Sequence, residues 1–113
     1  MLDYQEHSFP LGSDSDLRLR VEATLKENPV LTRTALDGWI GRRSDIDSAS
    51  IEVEAVHADG NIDLAFTETS WMACRVETGT ARHHHQIRYR LEPDRLVLLT
   101  LPRDAFPERI DEL

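Results

Sequence analysis

The sequence predicts an α+β domain: two N-terminal helices packed on a five-stranded antiparallel meander sheet, followed by a short C-terminal tail or helix. Three observations carry this. Apolar residues recur at helical spacing from Leu17 to Ile40. From Ser50 onward the period becomes two. Turn sequences, above all Asp59-Gly60 and Pro93-Asp94, then cut the alternating region into hairpins.

Residues 1–12 read as a weakly structured segment of extended character, ending at Pro10-Leu11-Gly12. Ser13 is placed to cap a first helix, and Asp14 and Asp16 suit its positive end. Leu17, Val21 and Leu25 line one face, and Glu22 and Lys26 form an i, i+4 pair on another. Asn28-Pro29 ends this helix, because a residue before proline avoids the α region. A second, shorter helix is expected with Thr34 as its cap, Leu36, Trp39 and Ile40 on one face, and Gly41 as its stop.

In the first strand Ile51, Val53, Ala55 and His57 alternate with Glu52 and Glu54. A two-residue Asp59-Gly60 loop would pair His57 with Ile62, Ala55 with Leu64 and Val53 with Phe66. Trp71–Glu77 is expected as a separate third strand with Met72, Cys74 and Val76 inward. Arg82–Leu91 is the fourth, with His83, His85, Ile87, Tyr89 and Leu91 inward and Arg82, His84, Gln86, Arg88 and Arg90 outward. Leu96–Leu101 is the fifth and is apolar on both faces. A Pro93-Asp94 loop sets Arg90 against Val97 and Arg88 against Leu99. The spacing of Phe106, Ile110 and Leu113 allows a terminal helix begun by Pro107.

A chain of 113 residues fits one domain, 1–113, and 40% apolar with 30% charged residues is a globular balance that argues against disorder. The net charge of −8 is concentrated in the first 69 residues, and Ser44–Thr69 holds seven carboxylates and no Lys or Arg. That face repels phosphate, so neither nucleic acid nor an anionic membrane is expected as a partner. A winged-helix alternative, with residues 46–57 helical, would offer DNA a recognition helix carrying Asp45, Asp47, Glu52 and Glu54 and no base. Cys74 is the one cysteine, and the start at Met1 has neither the basic residues nor the apolar run of a secretory leader. A cytoplasmic protein is the expectation, and the terminal Ile110-Asp111-Glu112-Leu113 is read as a chance likeness to a retention signal.

Candidate chemistry centres on His83-His84-His85. Alternation puts His83 and His85 on one face, with Cys74 on that face of the neighbouring strand and His57 more distant. Two imidazoles and a thiolate could hold a borderline metal such as zinc. Three ligands on flat strands, with no evident outer carboxylate, lead us to expect no cofactor. Cys74, mid-strand on an apolar face, has the setting of a small hydrophobe rather than of a nucleophile. No G-x-S-x-G elbow or glycine-rich phosphate loop is present, and an enzyme is not expected.

The outward face is the better candidate. Trp71, Arg88, Arg90, Val97, Leu99 and Leu101 would share it, and an aliphatic strip of that length needs a cover. The expected function is a non-catalytic interaction domain that self-associates, as a homodimer, or docks a protein partner through this face. In a dimer, Arg88 and Arg90 would meet Glu52, Glu54 and Asp63 of the other copy. The tail around Phe106 and Ile110 is the competing cover. The alternative function is metal binding by His83, His85 and Cys74.

Overall fold

The computed structural model describes residues 4–12, 16–41, 44–71 and 77–102. Helix α1 (Leu17–Glu27) is capped by Asp16, whose carboxylate accepts from the Leu19 N–H at 3.2 Å. The expected cap, Ser13, lies outside the described residues. Val21 and Leu25 are fully buried and Leu17 packs at the edge of the same cluster, as the i, i+4, i+8 spacing requires. Glu22 and Lys26 pair at 3.8 Å.

Asn28-Pro29 does end α1, but it also starts the next helix. Helix α2 runs Pro29–Ala35 with Pro29 at its first position, where the fixed φ helps and the missing N–H costs nothing. Thr34 is therefore inside the helix and caps nothing; its hydroxyl donates to the Val30 carbonyl at 3.0 Å. A single 3-10 turn (Asp37–Trp39) follows, and Leu36 and Ile40 on either side of it are fully buried. The Thr32 hydroxyl donates to the Leu25 carbonyl at 2.7 Å and ties the two helices together inside the core.

Five antiparallel strands make one sheet in the order β1-β5-β4-β3-β2: β1 (Gln5–Pro10), β2 (Ser44–His57), β3 (Asn61–Trp71), β4 (Glu77–Glu92) and β5 (Arg95–Thr100). The class and strand number match the expectation, but the strands are dealt differently. The N-terminal segment is a strand, added beside β5 with Phe9 opposite Leu96 and Ser8 opposite Val97. Of the segment expected as a third strand, residues 72–76 lie outside the described residues; β3 continues through Trp71 and pairs directly with β4, from Asn61↔Arg88 to Trp71↔Glu77. The meander thus has four strands, and β1 completes the sheet across it.

The first hairpin differs by one residue. His57 pairs with Asn61 and Val56 with Ile62, so the loop is three residues, Ala58-Asp59-Gly60. The Gly60 N–H donates to the His57 carbonyl at 3.2 Å, and Gly60 sits at φ +98°, a conformation that favours glycine. A bulge then leaves Glu54 unpaired, between Val53↔Leu64 and Ala55↔Asp63. The extra residue flips the alternation: Val53 and Val56 face the core, while Ala55 is half-buried and His57 exposed. A second irregularity lies between Asp47 and Glu52, where the Ser50 hydroxyl donates to the Asp47 carbonyl and accepts from the Thr67 N–H at 2.8 Å. All of 44–57 is strand, which removes the winged-helix alternative.

The helices cover one face of the sheet, and the core between them joins Phe9, Val21, Leu25, Ile40, Ile51, Leu64, Phe66, Ile87 and Leu98. Helix α1 also closes the β2 edge. Arg18 Nη1 donates to the Val53 carbonyl, and Glu22 Oε1 accepts from the Val53 N–H, each at 2.9 Å. Both backbone groups of one residue point the same way in a strand, so these bonds occupy the side that a foreign strand would use.

Candidate functional site

The turn at Pro93-Asp94 is the two-residue loop expected, and it sets Arg88↔Leu99 and Arg90↔Val97 in register. Along β4 the side chains of Arg82, His84, Gln86, Arg88 and Arg90 are all exposed, forming one row down the outward face. Val97 is buried and Leu99 and Leu101 are half-buried. What stands over them is the flanking pair of strands. Arg90 reaches across β5 to Glu6 of β1 at 3.0 Å and also binds Glu92 at 2.9 Å. The Arg88 guanidinium lies 5.7 Å from the centre of the Tyr4 ring. Arg95 donates to the Ser8 hydroxyl at 3.0 Å. Hydrogen bonding from Arg90, then its charge, holds the Glu6 carboxyl below its ordinary range.

Trp71 and the three carboxylates expected at this patch are placed or engaged elsewhere. Trp71 shares the sheet but not the patch. It aligns with Glu77, whereas Arg88 aligns with Asn61, ten residues along β3. At about 3.3 Å per residue that is roughly 33 Å. The carboxylates expected to meet Arg88 and Arg90 of another copy are engaged within the chain. Glu52 binds Arg82, Glu54 binds His84 at 3.1 Å, and Asp63 binds His57 at 2.8 Å. The hydrogen bond that His57 donates to Asp63, then the carboxylate's charge, raises the His57 pKa above its usual value. Tyr4 and Glu6 were not singled out by sequence. The signal that could have found them is β5 itself: a strand apolar on both faces is an interior strand, and interior strands have two neighbours.

On the inward face the structure brings His83 and His85 together, with His83 Nδ1 and His85 Nε2 3.1 Å apart. Cys74 lies outside the described residues, and the strand opposite is not the one expected. Phe66 faces His83 and Leu64 faces His85, because β3 runs on as β4's direct neighbour. His57 belongs to the outward face, beside Asp63. The partner that sequence reasoning missed is Glu68, which is 3% exposed. Its Oε1 lies 2.6 Å from His83 Nε2, and its Oε2 accepts from the Gly41 N–H at 2.7 Å. Burial pushes its pKa up, but bonds from Gly41, Ser44 and His83 together outweigh that and hold it below the ordinary value. Gly41 is suited to this contact, since a Cβ there would stand 3.0 Å from the Ser44 hydroxyl. Rings fix the imidazoles: Phe66 stacks on His83 at 4.9 Å and 9°, and Trp39 lies 5.3 Å from His85. Parity could have found Glu68, because Leu64, Phe66 and Glu68 share one face of a strand.

Among the described residues no three His, Cys, Asp or Glu side chains converge on one metal-sized point, and no helix is long and apolar enough to cross a membrane. Comparison with protein-family models, with curated proteins and with solved structures yields no match.

Proposed function

We propose that this chain is a non-catalytic interaction domain that self-associates through the outward face of its sheet, in the cytoplasm and without nucleic acid. The observation that supports this is the patch in which Tyr4, Arg88 and Arg90 stand over an aliphatic floor of Val97, Leu99 and Leu101. Tyrosine and arginine over a desolvated floor is the composition of interface hot spots, where a rigid ring and a planar cation bury much area at small entropic cost. Val97 is already buried, but Leu99 and Leu101 are only half-covered, and completing their burial is worth a part of the roughly 1.5–3 kcal/mol that full burial of such a side chain gives. A two-fold axis through the patch would bring both copies' floors together.

The ion pairs within the chain change how such a dimer is oriented. Glu52, Glu54 and Asp63 already hold Arg82, His84 and His57, so orientation rests on the Tyr4–Arg88 stack and on Arg90 exchanging Glu6 between copies. Sedimentation equilibrium tests the proposal. The wild type should dimerise at micromolar concentration, and Leu99→Glu and Arg88→Glu should each weaken the dimer at least tenfold without changing the circular dichroism spectrum. A wild type that stays monomeric at high micromolar concentration would end the proposal.

A further inference from the structure

The geometry points to a second site on the opposite, inward face: a divalent transition-metal ion bound by His83 Nδ1 and His85 Nε2 in adjacent coordination positions, with Glu68 orienting His83 from behind. It is independent of the interaction patch, which lies on the other side of the sheet.

His83 and His85 are two residues apart on β4, so both imidazoles project from its inward face, and their facing nitrogens are 3.1 Å apart. A carboxylate only accepts hydrogen bonds. The 2.6 Å contact between Glu68 Oε1 and His83 Nε2 places a proton on Nε2, so in the neutral ring Nδ1 accepts from the His85 Nε2–H, and a metal takes the place of that proton, which moves to His85 Nδ1. A carboxylate holding the far nitrogen of an imidazole is the arrangement that orients metal-binding histidines and raises their basicity. It is the outer carboxylate whose absence argued against a metal at the level of sequence.

What sits between the two nitrogens is either a proton or a metal. With metal–nitrogen bonds of about 2.0–2.1 Å, a 3.1 Å separation corresponds to an N–metal–N angle of about 98°. That is closer to the right angle of tetragonal and octahedral sites than to a tetrahedron, which favours the nickel and copper class over zinc. Water completes the coordination, because among the described residues two donors reach this point. The Phe66 and Trp39 rings hold the two imidazoles in place, and the His83 side chain retains 14% of its exposure, so the site is reachable.

The test is a titration of the full chain with Ni²⁺ at neutral pH, followed by calorimetry and by tryptophan fluorescence. One Ni²⁺ per chain should bind, quench Trp39, and bind more tightly than Zn²⁺. Glu68→Gln should weaken binding about 10–100-fold, and His83→Ala and His85→Ala should each abolish it. His84→Ala, on the outward face of the same strand, should leave it unchanged. Should an alanine variant fail to fold, the wild type still decides: substoichiometric Ni²⁺ should broaden the His83 and His85 ring resonances before those of His7, His57 and His84. Binding that survives loss of both His83 and His85, that disappears with His84→Ala, or that broadens the exposed histidines first overturns the inference, as does the absence of any binding at 100-fold molar excess.

Discussion

Replacing Glu68 by leucine separates two opposed effects. A buried carboxylate is costly to keep, and an apolar residue of similar size removes that cost. Against this, Glu68 accepts from the Gly41 N–H at 2.7 Å, from His83 at 2.6 Å and from the Ser44 hydroxyl; in the leucine variant Ser44 keeps Ser70 as a partner, while Gly41 and His83 lose this acceptor. Gly41 is buried, so its N–H cannot be rescued by solvent, and an orphaned buried donor costs about 1–3 kcal/mol. His83 retains some exposure and can be partly rehydrated, for about 1 kcal/mol more. Glu68→Leu should therefore destabilise by about 2–4 kcal/mol at pH 7. Glu68→Gln should cost less, about 1–2 kcal/mol, because its carbonyl can still accept from Gly41. Urea unfolding measures both. The pH dependence adds a sign. The Glu68 pKa is lowered in the folded state, so its contribution is present above the unfolded value near 4.5 and is lost as pH falls through the lower folded value. The gap between wild type and Glu68→Leu should therefore narrow in acid. A leucine variant as stable as the wild type, or more so, would show that the desolvation cost outweighs the hydrogen bonds and refute this reasoning.

Two further outcomes follow from the electrostatics and the edge. His57 is raised by its bond to Asp63, so it favours the folded state below the unfolded value near 6.5 and that contribution is lost as pH rises through the higher folded value. Its NMR titration midpoint should lie above 6.5 in the wild type and fall back in Asp63→Asn. At the β2 edge, Glu22→Ala removes the acceptor of the Val53 N–H. Hydrogen exchange at Val53 should accelerate, stability should drop by about 1 kcal/mol, and aggregation should increase at high concentration as the edge opens.

Much of the fold is legible in the sequence because the meander carries its own punctuation. Glu92-Pro93-Asp94-Arg95 fixes a two-residue loop, and with it Arg88↔Leu99 and Arg90↔Val97. At Asp59-Gly60 the turn is announced but its length is not, since the same dipeptide serves two- and three-residue loops. The bulge at Glu54 then restores an apolar face that a regular register would have built from Ala55 and His57. Period-two patterns carry no mark of a bulge. The extension of β3 to Trp71 was hidden because Thr67, Glu68, Thr69 and Ser70 are polar on both faces. Glu68 is buried all the same, because the His83 imidazole, the Ser44 hydroxyl and the Gly41 N–H supply what a carboxylate needs inside a protein. β1 is weakly marked in the sequence because Gln5-Glu6-His7-Ser8-Phe9-Pro10 has no apolar period. Its place is set by β5, which it pairs from Gln5↔Thr100 to Pro10↔Arg95 on the side opposite β4.

The outward patch is where the account meets its most direct test: amide NMR spectra of the full chain recorded across a hundredfold dilution. Self-association through Tyr4, Arg88, Arg90 and Leu99 predicts concentration-dependent shifts confined to residues 4–8, 86–92 and 95–101, with 44–57 of β2 unmoved, and their disappearance in Leu99→Glu. Spectra that do not change with concentration, or shifts centred on β2 or on the helices, would contradict it.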